Sequence, residues 1–456
     1  MQENFDFAAA LDLVERRQLR QLRQLLGGMN EVDIAEFLDE LSAEQMLLVF
    51  RLLPKELAAE VFAYLEDSEN QEKLINALSD QELRDVLREL YLDDTVDIIE
   101  DMPANVVSRI LRNTDPSTRS QINQLLNYPK DSAGSIMTTE FVALHPDETV
   151  AQSFARIRKE GLDKETVYTC YVVRSRVLLG VVTVRRLLLS DESTPIRDIM
   201  ETNLLCVHTL EDKEVAAQMF SKYDLTALPV VDADNRMVGI VTVDDAMDVL
   251  EEETTEDFEK MAAIVPVDKP YLKTGAWETF RSRIPWLLLL MLSATFTGII
   301  LTGFESALAA CVVLTSFIPM LTGTGGNSGS QSSVAVIRAL SLGEVSLSDA
   351  LAVVWKELRV ATLCGICLAA ANFVKMLLID RFLMNNPEVT IPVALVVCLA
   401  LAGTVVCAKV VGCLLPLGAH RLGIDPAVMA SPFITTVVDA LSLLIYFAIA
   451  TRILGI

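Results

Sequence analysis

The hydrophobic positions of the chain follow two patterns, one in each half. Up to about residue 128, apolar residues recur every three or four positions between short turns, which is typical of amphipathic helices. Beyond about residue 284, apolar residues form long continuous runs instead. Short helices with one apolar stripe bury it by stacking on one another, so the first pattern predicts helical repeats in a superhelix over residues 10–128.

The apolar runs of the second half predict membrane-spanning helices. Residues 284–304 carry no charge, and about 20 such residues cross the ~30 Å hydrocarbon layer of a bilayer. Four further runs predict spans at 306–337, 351–379, 389–415 and 425–451. The second half of the run 306–337, LTGTGGNSGSQSS, is glycine-rich and polar, so this span is not an ordinary lipid-facing helix. The sequence therefore predicts a five-helix transmembrane domain.

Basic residues beside the spans predict the orientation in the membrane. Seven of them fall on one side: Arg281, Arg283, Arg338, Lys356, Arg359, Lys409 and Arg421. The other side has three: Lys375, Arg381 and Arg452. The side with more basic residues is normally cytosolic. The start of the chain also lacks the features of a cleavable signal peptide. We therefore expect a multi-pass protein of the cytoplasmic (inner) membrane with a cytosolic N-terminus and an external C-terminus.

Residues 136–250 contain an internal repeat. IMTTEFVALHPDETVAQSFARI is echoed 63 residues later by IMETNLLCVHTLEDKEVAAQMF, and GVVTVRRLLL is echoed 59 residues later by GIVTVDDAMDVL. Each unit predicts a short strand, a helix, two strands and a helix. This order resembles a tandem CBS-domain pair, an α+β fold whose members often bind adenine nucleotides through Thr-x-x-Asp. The second unit has Thr242 and Asp245 at these positions, but the first has Thr183 and Arg186. The resemblance therefore implies at most one regular nucleotide site, with ATP as the candidate ligand.

The net charge of −24 is unevenly distributed along the chain. Residues 271–456 contain 11 Lys or Arg and 9 Asp or Glu, so residues 1–270 carry a net charge of −26. Such a negative field repels nucleic acid and attracts divalent cations, for which paired carboxylates are natural ligands. Nucleic acid is therefore excluded as a partner. For most of these acids, a solvated surface that keeps the protein soluble is the alternative interpretation.

Several acids share helix faces in this acidic part. Asp245 and Asp248 are three residues apart, and Asp93 and Asp97 are four apart. The same spacing relates a further group, Glu253, Glu256 and Asp257, and Asp224 is another acid of this region. Like charges so spaced repel each other, and a divalent cation reverses that repulsion. These acids predict a sensor in which bound Mg²⁺ closes the assembly and its depletion opens it.

Two features interrupt the apolar pattern of the membrane half. Asp439 lies near the centre of the last span, where a carboxylate costs several kcal/mol unless it meets water, an ion or a partner. It predicts an ion pathway, or else a protonated acid bonded to another helix. Pro432, Thr435 and Thr436 share its helix face and predict a line of hydroxyls and proline-freed carbonyls.

The second interruption is the run 323–331, GTGGNSGSQ. Its glycines predict backbone groups that face a cavity, or else close packing of helices. Oxygen ligands without cationic side chains suit a cation that keeps part of its water, as Mg²⁺ does.

Together, the acidic helical region, the repeat, the charged connector LEEETTEDFEKM and the five spans resemble the MgtE family of magnesium channels. The most specific motifs are IPMLTGTGGNSGSQ, SPFITTVVD and RLGIDPA. The resemblance implies a non-enzymatic, multidomain homodimer with its pore between the subunits. The implied regions are a helical N domain (1–130), tandem CBS domains (131–252), a connecting plug helix (253–280) and a transmembrane pore domain (281–456).

The family resemblance also implies site residues. The implied pore residues are Asp439, Thr435, Asn327, Gly325 and Gly326. The implied regulatory Mg²⁺ ligands are Glu60, Asp93, Asp97, Glu214, Asp224, Asp245, Asp248, Glu253, Glu256, Asp257 and Asp425. The expected function is a Mg²⁺-selective channel that imports Mg²⁺ across the cytoplasmic membrane and is closed by Mg²⁺ bound to its acidic domains.

The same residues argue against two other functions and leave a third open. A transporter of an organic osmolyte or anion needs cationic groups near Asp439, and the sequence provides none there. An intramembrane enzyme lacks an HExxH motif and paired membrane carboxylates. A broader channel for Mn²⁺, Co²⁺ or Ni²⁺, or an ion-coupled transporter with the same fold, remains open, because one mid-membrane carboxylate suits each of them.

Overall fold

The computed structural model describes residues 7–65, 67–267, 271–429 and 431–455. The chain forms two compact units, Met1–Glu251 and Glu252–Ile456. In the described part of the first unit, ten helices come before any strand. Helices α1 to α10 are Phe7–Glu15, Leu19–Leu26, Glu31–Asp39, Ala43–Phe50, Lys55–Ala63, Ser68–Ala77, Asp80–Glu89, Leu92–Glu100, Ala104–Asn113 and Pro116–Leu125.

Local sequence signals define where these short helices begin. The Asn30 side chain accepts a hydrogen bond from the Val32 N–H before α3, and Ser79 forms a capping box with Glu82 at the start of α7. Alternate helices then pack on one another, α3 on α5, α5 on α7 and α7 on α9. This packing buries the predicted apolar stripes and confirms the stacked helical region.

The repeat forms two similar three-stranded sheets. Strands β1 to β6 are Phe141–Leu144, Thr166–Arg174, Val177–Thr183, Val207–His208, Ala227–Val231 and Met237–Thr242. In each sheet the first strand pairs in parallel with the second, which pairs antiparallel with the third. The accompanying helices α11 to α15 are Val150–Glu160, Val184–Leu188, Ile196–Ile199, Lys213–Tyr223 and Val243–Met261. The predicted strand and helix order of both CBS units is confirmed.

The second unit is helical throughout its described part. Helices α16 to α21 are Ala276–Gly303, Glu305–Ala310, Ile318–Ser341, Ala350–Lys375, Ile391–Arg421 and Ser431–Leu454, and a π-helix, Met376–Leu383, extends α19. Among the described residues, four helices are long and apolar enough to cross a membrane: those that contain α16, α19, α20 and α21. The fifth long helix is the glycine-rich α18, which packs against α20 and α21.

The helix bundle is closed by aromatic contacts near the start of α18. The Tyr446 hydroxyl, fully buried on α21, donates a hydrogen bond to the Leu314 carbonyl at 2.9 Å. Phe304 and Phe447 stack with their ring centroids 4.6 Å apart. The first contact ties α21 to the turn that precedes α18, and the second ties it to the C-terminal end of α16.

Three expectations about the second unit need correction. The connector 253–280 is not one helix, because α15 ends at Met261 and α16 begins at Ala276; residues 268–270 lie outside the described residues. The glycine run does not leave its carbonyls free, because α18 is continuous through it. Lys409 is not a flanking residue, because it lies inside α20 and is only 5% exposed.

The glycines of the bundle instead allow helices to approach closely. A Cβ at Gly325 would lie 2.7 Å from Thr404 Cγ2 of α20, and a Cβ at Gly412 of α20 would overlap the carbonyl oxygen of Gly329 of α18. Gly418, on the same helix as Gly412, has nothing within 4 Å of its Cβ position. The backbones of α18 and α20 therefore meet at Gly329 and Gly412, as in other small-residue membrane contacts.

We predict that Gly412→Ala destabilises the protein and Gly418→Ala does not. Both changes gain about 1 kcal/mol in helix propensity, but only the first forces two backbones apart, at a cost of about 1–3 kcal/mol or more. Thermal melting of the purified protein in detergent should show a lower Tm for Gly412→Ala alone. Equal melting of the two variants would contradict the close contact.

Candidate ion sites

Asp439 lies in the middle of α21 and is half-buried. Its Oδ1 atom is buried and has no hydrogen-bond partner among the described residues. A carboxylate oxygen in such a position is costly unless a cation or water meets it. The Oδ1 atom of Asp439 is therefore placed to meet a cation or water instead of a side chain among the described residues.

Residues within one turn before Asp439 pack α21 against α18. A Cβ at Gly326 would lie 2.9 Å from Thr435 Cγ2, and a Cβ at Gly329 would lie 3.3 Å from Val438 Cγ2. The predicted pore residues Gly325 and Gly326 are thus buried in helix contacts. Asn327 is exposed instead, on the face of α18 that also carries Gly323 and Gln331.

The prediction of proline-freed carbonyls beside Asp439 is wrong. Pro432 is the second residue of α21, where a missing N–H removes no bond within the helix. Its carbonyl accepts the Thr436 hydroxyl at 3.1 Å. Oxygen ligands on this face are therefore side-chain groups.

A second group of acids lies near the inner end of α21, and we call it the inner-end cluster: Glu256, Asp257 and Asp425. Lys260 Nζ lies 2.7 Å from Glu256 Oε1 and 2.7 Å from Asp425 Oδ2. The other oxygen of Asp425 accepts a hydrogen bond from the Ala427 N–H at 2.8 Å. The predicted acids do converge here, but a lysine of the same chain already bridges two of them.

The pKa values of Asp257 and Lys260 in this cluster are both raised, for different reasons. Burial and the Asp425 carboxylate raise the pKa of Asp257, whose Oδ2 accepts the Ser341 hydroxyl at 3.3 Å. Burial alone would lower the pKa of Lys260, but its hydrogen bonds to Asp425 and Glu256 raise it. Lys260 therefore stays protonated. Its role was missed, although its position four residues after Glu256 is a readable signal.

A third group lies within the first unit, and we call it the buried acidic cluster: Asp93, Asp94, Glu165 and Asp245. Asp93 is only 7% exposed, and its Oδ1 has no hydrogen-bond partner among the described residues. Thr242 Oγ1 donates to Asp245 Oδ2 at 2.5 Å, so the two predicted nucleotide-binding side chains contact each other. Asp94 and Glu165 were missed. Glu165 is separated by about 70 residues from Asp93, and no sequence spacing reveals that the fold places their charges together.

Burial raises the pKa of every carboxyl of the buried acidic cluster. The pKa of Asp94 rises to about 7, with a further contribution from the charge of Asp245, and that of Glu165 rises to about 8, with further contributions from Asp94 and Asp245. The pKa of Asp245 rises to about 6, despite the Thr242 hydrogen bond, and that of Asp93 rises well above its ordinary value. Either protons or another cation must balance this charge.

The remaining predicted ligands are more dispersed. Glu60, Asp97, Asp224 and Asp248 are exposed. Glu214 and Glu253 are half-buried, and Glu214 Oε1 accepts a hydrogen bond from Gln218 Nε2 at 3.0 Å. Within the described ranges, no group of three or more His, Cys, Asp or Glu side chains is arranged to hold a metal. One or two carboxylates with water molecules still suit Mg²⁺, which usually keeps several waters.

We predict that the first unit is more stable at pH 6 than at pH 8.5 when divalent cations are chelated. The folded state raises these carboxyl pKa values, so its extra bound protons stabilise it at low pH, and this stabilisation is lost as the pH rises through about 6 to 8. Thermal melting of the full chain in EDTA should show a Tm lower by about 5 °C or more at pH 8.5. Glu165→Gln should reduce this difference. A Tm that is constant or rises with pH would contradict the clustering of these acids.

Known families match three regions of the chain. The family described as "MgtE intracellular N domain" matches residues 29–131, the CBS domain matches 133–192 and 196–252, and the family described as "Divalent cation transporter" matches 318–449. The order of these matches is that predicted from the sequence.

Curated relatives match over nearly their full length. "Magnesium transporter MgtE" of Thermus thermophilus is 38% identical over 448 residues, which cover 97% of this chain and 97% of the relative. The protein of the same name from Bacillus subtilis is 31% identical over 435 residues, 92% of this chain and 93% of the relative.

Two solved structures match about half of this chain. The soluble part of a magnesium transporter is 30% identical, with a TM-score of 0.51, and covers 54% of this chain and 97% of its own. The cytosolic domain of the Mg²⁺ channel MgtE in complex with ATP is 38% identical, with a TM-score of 0.50, and covers 53% of this chain and 99% of its own. With this shared domain order and these identities, the chain belongs to the MgtE family of divalent cation transporters.

Proposed function

We propose that this protein is a Mg²⁺ channel that imports Mg²⁺ across the cytoplasmic membrane. The observation that carries the proposal is Asp439, a half-buried carboxylate inside an apolar helix whose Oδ1 has no hydrogen-bond partner among the described residues. The relatives named as magnesium transporters support the choice of ion. The basic flanks support a cytosolic N-terminus and an external C-terminus.

The proposed pore lies between the two subunits of a homodimer. A symmetric pair brings two Asp439 carboxylates to one axis, where they hold Mg²⁺ through its water shell. Thr435, one helix turn before Asp439, and the exposed Asn327 supply further oxygen atoms. Gly325 and Gly326 act by letting α18 approach α20 and α21, which fixes the helix that carries Asn327.

The proposed regulation is closure by Mg²⁺ bound to the acidic groups. In the buried acidic cluster, Mg²⁺ replaces protons as the balancing charge for Asp93 and Asp245. In the inner-end cluster, Mg²⁺ binds Asp257 and Asp425 together with Glu256. The more exposed acids Glu60, Asp97, Glu214, Asp224, Asp248 and Glu253 are proposed as further ligands, with water completing each shell.

Selectivity and nucleotide binding are proposed on narrower grounds. Oxygen ligands favour Mg²⁺ over the softer Mn²⁺, Co²⁺ and Ni²⁺, which a hydrated-ion site also admits. ATP is proposed to bind the CBS pair at Thr242 and Asp245, as the ATP complex of a 38% identical cytosolic domain suggests. Binding there requires the Thr242 to Asp245 hydrogen bond to open.

We predict that Asp439→Asn lowers Mg²⁺ influx by at least about 10-fold. The change keeps the shape of the side chain but removes the charge that holds the ion, and charge-assisted contacts contribute about 1.5–3 kcal/mol. Flux into liposomes containing the purified protein, with a Mg²⁺-sensitive dye inside, measures the effect. Glu388→Gln, which removes a carboxylate from an exposed loop, is the matched control and should transport normally. Normal flux through Asp439→Asn would make the pore assignment wrong.

We predict that Lys260→Gln closes at a lower Mg²⁺ concentration than the wild type. The ammonium group of Lys260 occupies Asp425 Oδ2 and Glu256 Oε1, so Mg²⁺ must displace or share both contacts against a fixed positive charge. Flux measured over a series of Mg²⁺ concentrations on the cytosolic face gives the closing midpoint. Lys260→Arg should keep the wild-type midpoint, and Lys130→Gln, at an exposed position, controls for loss of charge alone. A higher midpoint in Lys260→Gln would show that Lys260 stabilises the closed channel instead of competing with Mg²⁺.

A further inference from the structure

Lys409 is a buried lysine in the middle of α20, twelve residues before the helix ends at Arg421. Its side chain does not reach along the helix to water, since the residue is only 5% exposed. Lys409 Nζ donates a hydrogen bond to Ser332 Oγ of α18 at 3.3 Å. A charged group at such a depth in a membrane helix is a mark of function rather than of stability alone.

Ser332 also binds a residue of a third helix. Its hydroxyl donates a hydrogen bond to Glu357 Oε2 of α19 at 2.5 Å. The directions are chemically consistent, because an ammonium group only donates, a carboxylate only accepts and a hydroxyl does both. Ser332 is 1% exposed, so water does not screen the bridge. Lys409, Ser332 and Glu357 therefore form one polar chain across α20, α18 and α19.

This polar chain lies beside the helix contact that positions Asp439. Ser332 follows Gly329 by about one turn of α18. A Cβ at Gly329 would lie 3.2 Å from the carbonyl oxygen of Ala408 and 2.8 Å from Ile434 Cγ2 of α21. Ala408 precedes Lys409 in the chain, and the next contact of Gly329, Val438, precedes Asp439. An uncompensated positive charge at Lys409 would therefore repel cations beside α21, the helix that carries Asp439.

We propose that Glu357 is the counter-charge of Lys409, bridged to it by Ser332, and that this pairing keeps the membrane part next to Asp439 free of the positive charge that would oppose a divalent cation. The inference rests on the proposed function, in which Asp439 holds the transported ion. It assigns Glu357 a role in the transport of that ion, which is to balance the charge of Lys409.

The pairing predicts a result that packing alone does not. In Glu357→Gln, the Lys409 charge is uncompensated and repels the ion, with twice the strength for Mg²⁺ as for a monovalent cation. Lys409→Met removes that charge at similar side-chain length. The double variant should therefore transport better than Glu357→Gln alone, because the second change removes the cause of the first defect.

The test measures Mg²⁺ flux into liposomes for the wild type, each single variant and the double variant of the full chain. We expect Glu357→Gln to lose about 10-fold or more, and the double variant to return to within about threefold of Lys409→Met. Glu344→Gln, which removes a carboxylate from an exposed position, is the control and should match the wild type. Normal flux in Glu357→Gln, or a double variant whose losses simply multiply, would overturn the proposal.

Thermal melting of the same proteins separates this inference from the proposed function. If the wild type carries no Mg²⁺, the proposed function fails, and the melting temperatures decide on the pair by themselves. A double variant at least as stable as Glu357→Gln supports the pairing, because the unpaired buried charge is gone. Losses of stability that add independently would overturn it.

Discussion

The least exposed of the proposed sites depend on the cost of an uncompensated charge away from water. Asp439 is the clearest case, since its Oδ1 is buried and has no hydrogen-bond partner among the described residues. A helix in hydrocarbon cannot solvate that oxygen, so the carboxylate attracts a cation or a water-filled path. The packing of α18 around glycines keeps this position fixed, because Gly325, Gly326 and Gly329 each lie within contact distance of α20 or α21. Rigid helix contacts and an unbalanced carboxylate together make a site for a hydrated ion.

The first unit also contains carboxylate charge that must be balanced, but it has several carboxylates instead of one. Folding gathers Asp93, Asp94, Glu165 and Asp245, and burial raises the pKa of each. The stability of this region therefore depends on how many cations it has bound, whether protons or metal ions. A fold that depends on bound cations can respond to their concentration, which is the physical requirement for a sensor.

The sequence predicted most elements of the fold because they carry strong periodic signals. The structure contains the helices predicted from the 3.6-residue spacing of the N domain, the two CBS units predicted from the repeat and the long helices predicted from the apolar runs. The prediction of one connecting helix over 253–280 was wrong. The charged residues of the connector favour a helix as far as residue 280, but α15 ends at Met261 in the structure. The prediction of free carbonyls in the glycine run was wrong for the opposite reason. Glycine permits other backbone conformations, but packing against α20 and α21 favours an unbroken helix.

The site could be predicted only where its members are close in sequence. Asp93, Asp257 and Asp439 were found from helix spacing or from their apolar surroundings. Glu165, Ser332 and Glu357 were not, because each meets its partners through tertiary packing between separate elements. Lys409 was visible but was interpreted as a flanking charge, since counting basic residues near span ends ignores burial. Burial is the property that distinguishes a lysine that orients a helix from one that must be neutralised inside it.

Two lysines of the second unit show how the protein itself can supply cations to its acids. Lys260 bridges Glu256 and Asp425, which are partly open to solvent, so a mobile divalent ion can compete with it. Lys409 is buried and bonded through Ser332, so exchange with a mobile ion requires three helices to separate. A mobile ion can therefore replace Lys260 at its carboxylates, whereas Lys409 stays bound at its own. On this argument, exposure of the lysine decides whether a carboxylate of this protein can report on the ion concentration or only shapes the path of the ion.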